Sequence, residues 1–239
     1  MNEQPNTPMS APSPGGISSW FSVWMKAMTK PGEQTFASLA TSGNAKASTA
    51  YLWVFIGSLV NIFLASLVQG ETTRRMLQQF GLDAPAGGGG IVNLLVTAVC
   101  GAPIGAVIVV IGFAILTGIV QWIAKMFGGK GTFDQLAYGF AAILTPVYLV
   151  SGVLSLLSAI PFVGLCFSIL SLILFLYVLF LEVAAVKGVN QFGWGQAAGS
   201  VFIPLIVIFC CVFVGVFGMR TLLGPKIGDT FSSINNSLP

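Results

Sequence analysis

The densest group of residues able to do chemistry in this chain is Phe127-Gly128-Gly129-Lys130-Gly131-Thr132-Phe133-Asp134-Gln135. Glycines beside a lysine and a threonine are the materials of a phosphate cradle, in which backbone N–H groups and an ammonium face the anion. A phosphate loop, however, needs G-x-x-x-x-G-K-[ST] between a strand and a helix. Position 124 is Ala where the first glycine belongs, Lys130 is followed by Gly131, and both flanks are long apolar runs. The same residues read well as a turn between two helices. Gly128 and Gly129 suit a helix C-cap, and Lys125 favours the negative end of the preceding helix dipole. Thr132-x-x-Gln135 is a capping box for the next helix, with Asp134 in its first turn. Lys130 and Phe133 are left without an internal duty and become candidates for contact with a partner.

Two polar residues stand inside apolar runs. Asn61 needs a hydrogen-bonding partner at mid-span. Glu182 is the one acidic residue deep in an apolar run, and an intramembrane carboxylate is a functional candidate by default. It also lies about one turn from a helix end, where water can reach it. Lys187 is five positions on, about 140° round the helix, so no i,i+4 pair forms. Enzymatic constellations are missing. The chain has no histidine, which excludes Ser–His proteolysis, zinc hydrolysis through histidine ligands and histidine proton relays. No paired carboxylates and no nucleophile beside a base are found, so no catalysis is expected. Cys100, Cys166, Cys210 and Cys211 lie in apolar runs without metal-ligand spacing, and neither a metal nor a cofactor is expected.

The elements that position these residues follow from composition. Of 239 residues, 55% are apolar and 7% charged, against about 25% charged in a soluble domain. The chain is therefore an integral membrane protein. Its net charge of +3 is small and scattered, which argues against a nucleic-acid partner. Residues 1–16 are polar and rich in Pro, Ser and Gly, read as a disordered tail without a signal-peptide pattern. Residues 17–46 hold two short helices. In the first, Ile17, Trp20, Phe21, Trp24, Met25 and Met28 make one apolar stripe, with serines, Lys26 and Lys30 on the remaining surface. It is too short to span, and its tryptophans favour the headgroup boundary. It is expected to lie in the interface with its lysines towards anionic lipid, the alternative being packing on the bundle itself. The second helix begins near Pro31 with Glu33 in its first turn.

Residues 47–222 read as a five-span membrane domain, with spans at about 51–69, 104–124, 137–159, 163–186 and 198–219. Pro103 breaks or kinks the run 91–124, leaving 91–100 as a half-helix or a continuation. Residues 223–239 form a C-terminal tail. The fold class is all-α: a five-helix transmembrane bundle with an N-terminal amphipathic interfacial helix. Lysine and arginine in the loops number six on the N-terminal side of the membrane and four on the other, which favours a cytoplasmic N-terminus and an outside C-terminus.

Four segments in order resemble the Yip-domain (Ypt/Rab-interacting) membrane protein family, especially its bacterial branch. They are Phe127–Phe133; Pro31-x-x-x-x-Phe36; the hairpin with Ile160, Pro161 and Gly164; and the link with Lys187, Gly195 and Ala197. The resemblance covers about 26–220 and implies five spans with the termini on opposite sides. In eukaryotic members it also implies binding of prenylated GTPases. This chain has no Asp-Leu-Tyr-Gly-Pro in its N-terminal region, so GTPase binding is not implied for it. Its link after the fourth span also departs from the bacterial pattern, reading Val189-Asn190-Gln191-Phe192 where relatives commonly place a histidine.

The expected role is a non-enzymatic scaffold or adaptor that binds an unidentified protein on the cytosolic face through Trp20, Trp24, Lys26, Lys130 and Phe133. Membrane lipids are the other expected partner, and Gly101-x-x-x-Gly105 and Gly195-x-x-x-Gly199 permit homo-oligomers. The alternative is permeation or transfer of a small molecule, ion or lipid, suggested by Pro103, Pro146, Pro204 and Glu182. The expected location is a bacterial cytoplasmic membrane. In the alternative, a eukaryotic endomembrane, Asn235-Asn236-Ser237 is a glycosylation acceptor.

Overall fold

The computed structural model describes residues 17–79, 97–158 and 163–237. The polar tail at 1–16, residues 91–96 and the tip of the Ile160-Pro161 hairpin lie outside the described residues. Two short helices, α1 (Ile17–Thr29) and α2 (Glu33–Ala40), precede five long ones. These are α3 (Ala47–Gln79), α4 (Ala102–Met126), α5 (Phe133–Ser158), α6 (Val163–Asn190) and α7 (Trp194–Ser237). No strand occurs among the described residues.

Among the described residues, five segments are long and apolar enough to cross a membrane: Ala47–Val68, Ala98–Met126, Phe133–Leu157, Ile169–Asn190 and Trp194–Gly215. The protein is thus an all-α membrane protein with five spans. The second span starts earlier than the 104 read from Pro103, because α4 is entered without a gap through a π-helical turn at Thr97–Gly101. Pro103 then falls in the first turn of α4, directly after the π-helical turn, so the chain passes it without breaking. The C-terminal tail is helical as far as Ser237, so α7 has 44 residues and is about 66 Å long.

Short links join α4 to α5 and α6 to α7, so the spans alternate in direction. The start of α3, the end of α4, the start of α5, the end of α6 and the start of α7 therefore share one end, together with α2. That end carries Lys26, Lys30, Lys46, Lys125, Lys130 and Lys187 against Glu33 and Asp134, and is called the basic end below.

The core is concentrated in the half of the bundle nearest the basic end. Trp53 and Val54 of α3, Leu136 to Ile143 of α5, and Leu181 and Ala184 to Val186 of α6 are buried there, and Ala197 of α7 joins them. Farther along, small residues set the approach of α3 to its neighbours. A side chain at Gly57 would meet Thr145, one at Gly105 would come within 3.0 Å of Ile62, and one at Gly152 would lie 3.1 Å from Asn61 Cα. Asn61 donates from Nδ2 to the Tyr148 carbonyl at 3.0 Å, which satisfies an amide that lipid would leave bare. The remote halves of α6 and α7 are different. Ile169 to Ile173 of α6 are exposed, as is each residue from Leu205 to Gly215 of α7. Apolar side chains gain nothing in hydrocarbon by being covered, so such surfaces are stable against lipid.

Helix α1 splits its apolar stripe between two neighbours. Trp20 and Trp24 meet Trp53 edge-on at ring distances of 6.0 and 5.6 Å, and Trp53 in turn lies 4.9 Å from Tyr138. Ala27 is fully buried beneath them. Phe21 and Met25 point away, 61% and 44% exposed. The tryptophans therefore pack on the bundle, while the amphipathic helix keeps a second apolar edge outward. The Tyr177 hydroxyl donates to the Met28 carbonyl at 2.5 Å and caps the C-terminal end of α1 across 149 residues of chain.

Candidate functional site

The residues between α4 and α5 form the floor of the basic end. Gly128 has φ +87°, the left-handed conformation of a helix C-cap. Its N–H bonds to the Lys125 carbonyl at 3.0 Å, that of Gly129 to Ala124 at 2.9 Å, and that of Phe127 to Ile123 at 3.2 Å. Thr132 N–H donates to Gln135 Oε1 at 2.9 Å and Gln135 N–H to Thr132 Oγ1 at 3.4 Å, the capping box expected from their spacing.

The remaining two N–H groups are bound by a distant residue. Asn190, the last residue of α6 and fully buried, accepts from Lys130 N–H on its carbonyl at 3.1 Å and from Gly131 N–H on Oδ1 at 3.2 Å. Gln121 of α4, also buried, donates from Nε2 to the Gly131 carbonyl at 2.7 Å and to Asn190 Oδ1 at 3.1 Å. Asn190 Nδ2 donates back to Gln121 Oε1 at 3.3 Å and to the Val186 carbonyl at 3.1 Å. The glycines are required by this approach. A Cβ at 129 would lie 2.8 Å from the Ala124 carbonyl oxygen, and one at 131 would lie 2.9 Å from that of Val189. Each backbone N–H from Phe127 to Thr132 is thus committed inside the protein, and none remains to cradle an anion.

Lys130 is exposed, and its ammonium has no hydrogen-bond or ion-pair partner among the described residues. Phe133 is half-buried on the core, its ring 3.8 Å from where a side chain on Gly118 would begin. Trp20 and Trp24 are turned into the bundle as described, and exposed Lys26 donates to Ser38 Oγ at 3.2 Å. The five residues proposed from sequence are therefore not one outward surface: Lys26 and Lys130 point out, and the three aromatic residues hold the elements together.

Beside this loop, α2 seats against the end of α6. Phe36 is fully buried, near Gly139 and Gly188. A side chain on Gly188 would collide with the Glu33 carbonyl oxygen and lie 3.0 Å from Phe36 Cβ. Lys187 forms an ion pair with Glu33 and sits 4.4 Å over the Trp194 ring, so one ammonium ties α2, α6 and α7 together. Glu33, Gln34, Ala37, Lys187, Gly188, Gln191 and Phe192 line an open groove of about 350 Å³. Farther into the spans, Glu182 is half-buried on α6.

The segments assembled here, Pro31–Phe36, Phe127–Phe133 and Lys187–Ala197, are three of the four that carry the family resemblance, and the Yip1 domain profile matches residues 25–216. The chain belongs to the Yip1-domain family. In this Yip1 domain these three segments, far apart in sequence, meet at one end of the bundle. No curated protein and no solved structure matches the chain significantly.

Proposed function

We propose that this Yip1-domain protein is a non-enzymatic membrane scaffold whose basic end faces the cytoplasm and binds a protein partner. The observation that carries this reading is the 127–132 loop. Its backbone is bonded internally from end to end, at a network closed by Gln121 and Asn190, while Lys130 projects unpaired. A loop held this firmly without a substrate presents a side chain at low entropic cost, as recognition surfaces do. Exposed Lys26 and Lys125 extend the positive surface, and the groove between α2 and α6 adds an apolar floor at Phe192. The partner that fits is a protein with an acidic face. A bacterial cytoplasmic membrane with the N-terminus inside accords with six lysines at this end.

The test is chemical crosslinking and pull-down from native membranes, with the wild-type chain compared with Lys130→Glu. Phe133 stays unchanged because truncating a half-buried ring would disturb the fold. A partner recovered with the wild type and lost on charge reversal supports the reading. Recovery of nothing but the protein itself in both samples rejects it.

A further inference from the structure

Helices α5 and α6 are longer than the layer they cross. With 26 and 28 residues they measure about 39 and 42 Å against a hydrocarbon core of about 30 Å, so about 10 Å of each stands outside it. Helix α1 marks the end at which they do so. Trp20 and Trp24 pack on Trp53, about 9 Å into α3, and the Met28 carbonyl meets Tyr177, about 20 Å along α6 from Asn190. Helix α2 lies above, seated on Gly188 next to the tip of α6. The level of α1 is therefore about 10–20 Å below the tip of the basic end.

The sides of α1 are sorted to match. Trp20, Trp24 and Ala27 face the bundle. Lys26 reaches up to α2, donating to Ser38 Oγ, and exposed Lys30 follows it one turn on. Phe21 and Met25 lie about 140° round the helix from these lysines and are exposed, so that edge turns away from the basic end. Aromatic residues mark the same level on other faces. All five tryptophans of the chain stand at this end of the bundle. Exposed Trp122 lies about 6 Å before the end of α4, and exposed Trp194 stacks on Phe180 at 6.3 Å, as in the aromatic belt of a membrane boundary.

We propose that the outward edge of α1 is a docking surface for anionic phospholipid: Phe21 and Met25 lie among acyl chains, Lys30 meets the phosphates, and the tip of the basic end stands about 10 Å clear of the hydrocarbon. Cation above and apolar side chains below match a phosphate above its acyl chains. The five spans put a bilayer at this level all round the bundle. The inference is independent of the scaffold reading and holds whichever side of the membrane the basic end faces. Glu182, about 12 Å from Asn190, then falls in the headgroup layer rather than at mid-span, where a carboxylate costs least.

One fluorophore and three quenchers test this. In the full chain with Cys100, Cys166, Cys210 and Cys211 replaced by Ser, bimane is attached at Met25→Cys or, as reference, at Lys130→Cys. The protein is placed in liposomes of phosphatidylcholine and phosphatidylglycerol, either lipid carrying an acyl-chain nitroxide, and iodide is added to the water. The label at 25 is expected to be quenched by nitroxide lipid and shielded from iodide several-fold better than the label at 130. Nitroxide phosphatidylglycerol is expected to quench it more than nitroxide phosphatidylcholine at the same mole fraction, and Lys30→Glu to remove that preference. Iodide quenching equal to that at 130 would put α1 outside the bilayer, and quenching by none of the three would mean that protein covers the edge; either overturns the proposal. Equal quenching by the two lipids, or a preference that survives Lys30→Glu, overturns the assignment to anionic lipid. Should the label at 25 disturb folding, Phe21→Cys on the same edge supplies the same readings.

Discussion

Asn190 has a concentrated set of obligations among the described residues. Its side chain closes the loop at Gly131, pairs with Gln121 and bonds its own helix at Val186. Truncating it in Asn190→Ala strands the Gly131 N–H and part of the Gln121 amide in a buried site, at about 1–3 kcal/mol for each orphaned group. Thermal unfolding in detergent is expected to show that loss. Because Gln121 and Asn190 share their bonds, adding Gln121→Ala is expected to cost less than the sum of the two single changes. Lys130→Ala, by contrast, removes an exposed ammonium and is expected to stay within about 0.5 kcal/mol of wild type. The two kinds of residue were not equally legible in the sequence. Thr132 and Gln135 announce themselves because a capping box is local. The Gln121–Asn190 bond spans 69 positions, and no spacing rule links two amides so far apart, so the residue that closes the loop carries no local signal. Phe133 looked unemployed for the same reason, since its packing partners lie on another helix.

Among the elements, α2 is the clearest case of a helix placed by fit rather than by its own stability. Eight residues are too few to hold a helix in water. Phe36, the Glu33–Lys187 pair and the bare surface of Gly188 position it instead. The change Gly188→Ala puts a methyl group into the Glu33 carbonyl and the Phe36 side chain, an overpacking of about 1–3 kcal/mol. Hydrogen exchange across residues 33–40 is expected to accelerate, with the helicity of the spans unchanged. Gly195→Ala is the matched control: nothing lies within 4 Å of its added carbon, and exchange at α2 is expected to remain as in wild type. Equal acceleration in both variants would mean that α2 is not seated by this contact. The sequence placed α2 well through Pro31 and Glu33, but it showed Glu33 only as a favourable charge in a first turn. For α1, the apolar stripe was legible and its division was not. Periodicity marks which residues leave water, and it is silent on whether protein or lipid receives them. Trp20 and Trp24 went to Trp53, whereas Phe21 and Met25 stayed outside.

At the scale of the whole molecule, the five spans were readable because length and apolarity alone report them, whereas the uneven packing was not. Buried groups, cross-helix hydrogen bonds and the ion pair gather near the basic end, and the far stretch of α7 from Leu205 to Gly215 touches little of the chain. An apolar helix in lipid needs no cover, so composition cannot distinguish a packed half from a loose one. The asymmetry bears on the proposed orientation: the end that is rigid also carries six lysines, and the positive-inside rule is the ground on which that end is proposed to face the cytoplasm. Cysteine labelling in intact cells checks this, in a chain whose native Cys100, Cys166, Cys210 and Cys211 are replaced by Ser so that a membrane-impermeant maleimide meets only the introduced thiol. A cysteine at Lys130→Cys is expected to react only after the membrane is opened, and one at Lys226→Cys, beyond the last span, in intact cells. The reverse pattern would place Lys26, Lys125 and Lys130 outside the cell, and the partner sought for them would then have to be extracellular rather than cytoplasmic.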